Sequence, residues 1–140
     1  MSCYQWEFFS VTASGEAMLE RLQAILEDNL VSPSDRRKFM LAVSEAFNNA
    51  LIHGNELNPK KTIRVQLCIN EDALSADIID QGQEGLKKIQ SPRETDLLSE
   101  GGRGVRLMMY CADNVKFEQI ENGGLKVTVQ LVRKSIAKIT

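Results

Sequence analysis

The chain has 140 residues, a net charge of −2 and a pI of about 5.5, and its length fits a single domain. Hydrophobic residues make up 43% and charged residues 26%, as in ordinary globular proteins. The sequence has no long basic run, which argues against direct nucleic-acid binding. No apolar run approaches the roughly 20 residues that span a bilayer, and the first residues do not resemble a secretory signal. We therefore expect one domain over residues 1–140, located in the cytoplasm and binding neither nucleic acid nor a membrane.

Three cysteines are widely spaced along the chain, at Cys3, Cys68 and Cys111. Their odd number and their spacing argue against a disulfide framework and against a metal site of the CxxC type. Because cysteine is usually buried, we expect three reduced thiols that lie mostly in the core.

The first part of the chain indicates one strand followed by a helix. Residues 4–12 are rich in aromatic and β-branched side chains, which favours a strand. Ser14 is a candidate N-cap for a helix that runs to about Leu30. The apolar side chains of this helix recur on one face, at Met18, Leu22, Ile25 and Leu26.

A second helix is predicted from about Pro33 to His53. Ser32 and Asp35 form a capping-box pattern around the proline, which suits the first position of a helix. Gly54 then provides a helix stop. The apolar stripe of this helix consists of Phe39, Val43, Ala46, Phe47 and Ala50.

A β-hairpin and a long loop are predicted next. Residues 62–70 and 73–79 alternate between apolar and polar side chains, and the short link between them is typical of a hairpin. Residues 81–100 show no periodicity and contain glycine, proline and several charges. Loops of this length in compact domains are usually functional or disordered.

The last part of the chain predicts a helix and two strands. The helix follows the glycines at 101–104 and ends at about Ala112. Strands over about 114–120 and 124–132 flank a glycine turn, and residues 133–140 form a polar tail.

The predicted order is one strand, two helices, two strands, a loop, one helix and two strands. Strands outnumber the helical crossovers, which favours an α+β fold. We expect a two-layer sandwich, with a mixed but mostly antiparallel sheet and the helices packed on one face.

Three polar residues, Glu45, Asn49 and His53, interrupt the second predicted helix at a four-residue spacing. Four residues advance an α-helix by about 400°, so the three share one face at intervals of about 6 Å. A carboxylate and an amide oxygen one turn apart suit a hard cation such as Mg²⁺. They also allow Asn49 to hold the metal while Glu45 accepts a proton. The alternative is a solvated helix face and, for His53 alone, a hydrogen bond at the helix end.

Asp80 follows the second strand of the predicted hairpin and precedes Gly82 by two residues. A carboxylate at a strand end can accept a hydrogen bond from an exocyclic amine. The glycine lets a flat ring approach the backbone closely. An ordinary strand-to-loop turn is the alternative, because the Asp-x-Gly pattern is common.

Gly101, Gly102 and Gly104 precede the third predicted helix. Glycines at a helix N-terminus expose backbone N–H groups where the helix dipole is positive, which favours phosphate binding. Arg103 and Arg106 add positive charge. The segment is not a Walker A motif, because no Gly-Lys-Ser/Thr sequence follows. It is not a Rossmann turn either, because a loop and not a first strand precedes it. A glycine hinge at the end of the loop is the alternative.

The ordered set of motifs over roughly residues 39–130 resembles the GHKL ATPase superfamily, whose ATP-binding domain is also called the Bergerat fold. The resemblance implies that Asn49 binds Mg²⁺, that Glu45 is the catalytic base and that Asp80 recognises the adenine amine. It also implies an ATP lid over about 85–100.

The remaining residues of the expected ATP site follow from the same resemblance. Gly102 and Gly104 would wrap the phosphates. The expected cofactor-binding set also takes in His53, Gly82, Arg103 and Thr128.

Within the superfamily, the segment AVSEAFNNALIHGN, the single-domain length and the short lid are similar to the bacterial anti-sigma-factor serine kinases. This resemblance implies a Mg-ATP-dependent protein-serine/threonine kinase. Its partners would be a sigma factor and an antagonist of the STAS-domain type, which it would phosphorylate. A homodimer is also left open.

Two positions depart from the pattern of the superfamily. Glu84 stands where a second glycine usually follows Asp-x-Gly, and Leu125 stands where a threonine often follows the glycine of the final hairpin, although Thr128 is near. These departures favour an alternative, a non-catalytic binding module that sequesters a sigma factor or another regulator. The presence of both Glu45 and Asn49 favours the enzyme.

Overall fold

A computed structural model describes residues 1–83, 100–121 and 123–134 of the chain. The predicted lid over 85–100 lies outside the described residues, apart from the backbone of Glu100. The part of the predicted polar tail beyond residue 134 also lies outside them.

The described strands form one sheet with five members. Their bounds are β1 Ser2–Phe9, β2 Thr62–Ile69, β3 Ala73–Ile79, β4 Asn114–Gln119 and β5 Leu125–Val132. The spatial order is β1-β2-β3-β5-β4, and every neighbouring pair is antiparallel. The predicted hairpin is confirmed as β2 and β3. Its turn is held by the side-chain oxygen of Asn70, which accepts hydrogen bonds from the backbone N–H groups of Asp72 and Ala73 at 2.7 and 2.8 Å.

The first strand was predicted over 4–12 and ends earlier, at Phe9. The backbone N–H and the hydroxyl of Ser10 both donate to the carbonyl of Lys61, at 3.1 and 2.8 Å. This contact turns the chain away from the sheet before the predicted strand end.

The described α-helices pack against one face of the sheet. They are α1 Ala13–Asp28, α2 Pro33–Asn48 and α3 Glu100–Cys111. The core lies between the two layers and takes alternate residues of each inner strand, such as Ile63, Val65 and Leu67 of β2. The predicted α+β class with helices on one face is therefore confirmed, but the sheet predicted as mixed is purely antiparallel among the described strands. None of the helices among the described residues is both long and apolar enough to cross a bilayer.

The predicted cap of α1 is wrong. The helix begins after Thr12, and the hydroxyl of Ser14 donates to the carbonyl of Phe9 at 2.7 Å. A serine hydroxyl readily bonds to nearby backbone, and here the end of the first strand offers a closer partner than the helix terminus.

The predicted N-cap of α2 at Ser32 is confirmed, whereas the carboxylate of Asp35 bonds to Lys134 and not, as in a full capping box, to the cap. Ser32 has extended backbone angles, its hydroxyl accepts from the backbone N–H of Asp35 at 3.2 Å, and Pro33 occupies the first turn. The side chain of Asp35 is buried, and its Oδ2 accepts from the backbone N–H of Lys134 at 3.1 Å. The start of α2 is thereby tied to the end of the last strand.

The second helix was predicted to run as an α-helix to His53. The α-helical part ends at Asn48, and a π-helix continues over Asn49–Gly54. The backbone N–H of Asn55 reaches the carbonyl of Ala50 at 2.8 Å, which is the wider i to i−5 bond of a π-turn. π-turns inside helices are frequently found at functional sites.

The third helix was predicted to start after Gly104 but begins at Glu100, so that the glycines lie inside its first turns. The prediction placed the glycines before the helix because glycine is about 1 kcal/mol less favourable than alanine in a helix interior. Here the helix packs against α2, and Gly104 lies at the contact with Glu45 of that helix.

The expectation of three reduced thiols is wrong for two of them. Cys3 and Cys68 form a disulfide, and Cys3 is exposed. They are 65 residues apart in sequence, but the antiparallel register of β1 and β2 places them directly opposite each other. Cys111 is free and buried, as expected.

We expect Ser32→Ala to lower the free energy of unfolding by about 0.5–2 kcal/mol, because a backbone N–H at the start of α2 loses its acceptor. Urea denaturation measures the change. Ser34→Ala is the matched control, since Ser34 is exposed in the same turn. Equal losses in the two variants would contradict the capping role.

Candidate functional site

A cleft of about 300 Å³ lies between α3 and the second helix with its π-helical end. The residues that line it come from both sides and include most of the predicted helix motif. They are Glu45, Asn48, Asn49, Ile52, His53, Arg103, Gly104 and Leu107.

Glu45 and Asn49 face the backbone of α3 at Gly104. A Cβ atom built on Gly104 would lie 2.8 Å from Oε2 of Glu45 and 3.7 Å from Oδ1 of Asn49. The first distance is shorter than an ordinary van der Waals contact, so a side chain here would push Glu45 aside. The glycine therefore leaves room for two oxygen atoms of the predicted motif to face the same part of the cleft.

The side-chain nitrogen of Asn49 is buried and has no hydrogen-bond partner within the described residues. A buried donor without an acceptor costs about 1–3 kcal/mol. Such a group needs an explanation, and one is a ligand that supplies the missing acceptor. The amide of Asn49 thus offers both an oxygen for a cation and a donor for an anion.

The buried thiol of Cys111 lies within electrostatic reach of this motif. Burial raises the pKa of Cys111, with Lys38 acting to lower it and Glu45 acting to raise it. The thiol therefore stays protonated at neutral pH, and Cys111 contributes packing between α2 and α3 rather than a reactive thiolate.

Asp80 is buried at the end of β3, with 3% of its surface exposed. Its Oδ1 accepts from the backbone N–H groups of Gly82 and Leu125 at 2.9 and 3.0 Å. Its own N–H donates to the carbonyl of Leu125 at 3.0 Å. Leu125, which departs from the usual threonine, thus holds Asp80 through its backbone while its side chain is buried in the core.

Two glycines leave room for Asp80, and a third leaves room for the helix end beside it. A Cβ on Gly54 would lie 2.5 Å from Cγ of Asp80, a Cβ on Gly124 would lie 3.2 Å from the Asp80 carbonyl carbon, and a Cβ on Gly82 would lie 2.6 Å from the carbonyl carbon of Gly54. Gly82 was expected to admit a flat ring. In the structure its missing side chain admits the backbone of the helix end.

The structure brings five predicted site residues to one cleft, namely Glu45, Asn49, His53, Arg103 and Gly104. Asp80 and Gly82 lie next to its far end, where Gly54 follows His53. The backbone of Gly102 lies in the first turn of α3.

Thr128 does not join the other predicted residues. It pairs with Asp77 across β3 and β5, and its hydroxyl donates to Oδ1 of Asp77 at 2.7 Å. Asp77 and Asp80 are three residues apart, so in an extended strand their side chains point to opposite faces. Thr128 therefore lies on the face away from the helices, and its expected contact with the nucleotide is not supported.

Sequence reasoning missed the roles of Gly54, Gly124 and Asn55. Gly54 and Gly124 keep space around Asp80, and Oδ1 of Asn55 accepts a hydrogen bond from the backbone N–H of Gln81, the residue after Asp80, at 2.7 Å. The only sequence signal for Gly54 and Asn55 was their position at a helix end, which does not reveal a contact with a strand distant in the sequence.

The sequence matches a known family over most of its length. The family model described as histidine kinase-like ATPase domain matches residues 11–131. The chain belongs to this family, and its resemblance to the GHKL superfamily is confirmed.

The relatives that the chain matches are anti-sigma-factor kinases of this family. The chain is 34% identical over 110 residues to the serine-protein kinase RsbW of Bacillus licheniformis, which covers 73% of this chain and 66% of that protein. It is 32% identical over 103 residues to an anti-sigma F factor of Clostridium acetobutylicum, covering 71% and 69% respectively. The chain thus spans about two thirds of the length of the relatives it matches.

A solved structure shows the same fold. The RsbU and RsbW domains of Rv1364c from Mycobacterium tuberculosis superpose with a TM-score of 0.70 at 16% identity. The match covers 96% of this chain and 34% of that one. At this identity the similarity concerns the fold alone.

We expect Gly54→Ala to lower the free energy of unfolding by about 1–3 kcal/mol, the usual cost of overpacking. The new methyl group would meet the carboxylate of Asp80, which two backbone hydrogen bonds hold in place. Gly15→Ala in α1 is the control, because nothing lies within 4 Å of its Cβ position. It should raise stability by about 0.4–1 kcal/mol. Urea denaturation compares the two, and a neutral Gly54→Ala would contradict the close contact.

Proposed function

We propose that this chain, as one domain, binds Mg-ATP and transfers a phosphoryl group to a serine or threonine of an STAS-domain antagonist, and that it regulates a sigma factor. The observation that carries the proposal is the meeting of Glu45, Asn49 and Gly104 in one cleft. The names of its relatives, a serine-protein kinase and an anti-sigma F factor, support the same reaction and partner class.

The residues of the cleft fit a magnesium–phosphate group. Mg²⁺ in phosphoryl-transfer sites is held by few protein oxygens together with phosphate oxygens and water. The described residues contain no cluster of three or more His, Cys, Asp or Glu side chains, so a site there would depend on the nucleotide for most of its ligands. Asn49 would hold the cation through its oxygen, and its buried nitrogen would donate to a phosphate oxygen. The bound cation supplies neutralisation of phosphate charge.

Glu45 would accept the proton of the incoming hydroxyl. It is half-buried, it lies one helical turn before Asn49, and its Oε2 faces the cleft beside Gly104. A carboxylate within reach of a hydroxyl is a suitable base, and phosphoryl transfer demands mainly positioning and charge neutralisation. Arg103 is exposed at the rim and adds positive charge toward the phosphates.

Asp80 would recognise the adenine amine. Backbone donors occupy Oδ1, and Oδ2 faces the helix end at Gly54. The two hydrogen bonds hold the carboxylate in one orientation without relying on the ligand. An acceptor held in one orientation favours a ligand that offers a donor to it over one that does not.

A non-catalytic binding module is the second candidate. The observation that favours it is the position of Thr128, whose hydroxyl bonds to Asp77 on the opposite face of the sheet. One expected nucleotide contact is thereby missing. A module of this kind would sequester a sigma factor or another regulator without phosphoryl transfer.

The two candidates are separated by two mutations in the helix motif. We expect Glu45→Ala to leave ATP binding nearly intact and to lower transfer to a cognate STAS-domain protein by about 10²–10⁴-fold, the range for a positioned base. Asn49→Ala should weaken both Mg-dependent ATP binding and transfer, because it removes the proposed oxygen ligand. Nucleotide titration and transfer of radiolabelled phosphate measure the two effects.

The difference between these variants tests the two proposed roles, because simple damage to the helix would lower ATP binding and transfer equally in both. Loss of ATP binding in Glu45→Ala as complete as in Asn49→Ala would remove the assignment of Glu45 as base. Unchanged binding and transfer in both variants would mean that the nucleotide site lies elsewhere, and no transfer by the wild type would favour the binding module.

We expect Asp80→Asn to weaken ATP binding about ten- to hundredfold while the fold survives. The asparagine oxygen can still accept from Gly82 and Leu125, but an amide nitrogen would replace Oδ2 and repel the adenine amine. Titration with a fluorescent ATP analogue measures affinity, and the thermal midpoint checks the fold. Unchanged affinity would remove Asp80 from the site.

A further inference from the structure

Asn55 follows the π-helix and joins three distant parts of the chain. Its side chain is 1% exposed. The Nδ2 group donates to the hydroxyl of Ser10 at 2.8 Å and to the carbonyl of Thr62 at 3.0 Å, and Oδ1 accepts from the backbone N–H of Gln81 at 2.7 Å. Both donors and the acceptor of this buried amide are therefore in use.

The bond to Gln81 connects the helix end to the turn that presents Asp80. Gln81 stands between Asp80 and Gly82, and the backbone of Gly82 packs against Gly54. The side chain of Gln81 in turn accepts from the backbone N–H of Thr62 at 2.7 Å. The turn after β3 is thus held to the helix end by Asn55 and to the start of β2 by Gln81.

We infer that Asn55 is a positioning residue for recognition of the adenine amine, acting through the backbone of Gln81 on the neighbouring carboxylate of Asp80. The inference rests on the proposed function, because it concerns the same ATP site. The amide of Asn55 fixes how closely the turn approaches the π-helix, and hence where Asp80 stands relative to Asn49 and His53. Its contribution is to the choice of purine base and not to phosphoryl transfer.

Discrimination between ATP and inosine triphosphate (ITP) tests this role. ITP carries an oxo group in place of the amine, so it does not use the acceptor at Asp80. Wild type should bind ATP at least about tenfold more tightly than ITP. Asn55→Ala should weaken ATP binding by about tenfold and ITP binding much less, so that the preference falls. Competition with a fluorescent ATP analogue on the whole chain, with Mg²⁺ present, measures both affinities.

Two further variants separate positioning from general stability. Ser10→Ala removes a buried hydroxyl that bonds to Asn55 and Lys61 but leaves the bond between Asn55 and Gln81. It should lower the thermal midpoint and keep the preference for ATP. Asn55→Asp retains an acceptor for the Gln81 N–H and loses the donors, so it should be unstable and still prefer ATP. If Asn55→Ala does not fold, Asn55→Leu, which is similar in shape and lacks the acceptor, takes its place.

The outcomes distinguish the inference from the function on which it rests. Equal binding of ATP and ITP by the wild type would overturn the adenine assignment and the role of Asn55 with it. A wild type that prefers ATP, together with an Asn55→Ala variant that prefers it equally, would overturn the role of Asn55 alone. A lost preference in Ser10→Ala or Asn55→Asp would also overturn it, because general destabilisation would then explain the effect.

Discussion

The close approach of the π-helix end to the carboxylate of Asp80 is the constraint on which the site depends. No side chain fits at Gly54, because its Cβ position is taken by the carboxyl group of Asp80. The backbone of Gly82 in turn lies against the carbonyl of Gly54. This contact sets the end of the second helix against the end of β3. The helix that carries Glu45 and Asn49 is thereby positioned relative to the sheet.

The π-turn reconciles this contact with the packing of α2. The helix buries Phe39, Val43 and Phe47 against the sheet, which fixes its rotation. In a continuous α-helix, the packing of these side chains would also set the direction in which the residues up to Gly54 face. The wider turn over Asn49–Gly54 changes the direction in which these residues face. The backbone N–H of Asn55 closes the turn by donating to the carbonyl of Ala50. The buried side-chain amide of Asn55 then ties the end of the helix to Ser10, Thr62 and Gln81.

Gly104 lies inside α3, where local helix propensity disfavours glycine. Glycine in a helix interior is unfavourable by about 0.5–1 kcal/mol relative to alanine. At Gly104 that cost leaves Oε2 of Glu45 in the cleft, where a methyl group would displace it. The buried and unpartnered nitrogen of Asn49 is a second local cost, within the described residues, at the same place. Violations of local rules concentrate at functional sites in natural proteins.

The sequence alone determined the fold class, the hairpin of β2 and β3, the cap at Ser32 and the motif of Glu45, Asn49 and His53. These features depend on periodicity and on contacts a few residues apart, which a sequence displays directly. The disulfide of Cys3 and Cys68 was decided by strand register.

Tertiary contacts also decided the π-turn, the glycines inside α3 and the turning of Thr128 away from the site. In each case the deciding partner lies far away in the sequence. The carboxylate of Asp80 occupies the space left by the missing side chain of Gly54, Oε2 of Glu45 lies in the space left at Gly104, and Asp77 accepts from the hydroxyl of Thr128. Local propensity carries no information about such partners, because only the packed sheet and helices bring them within contact distance.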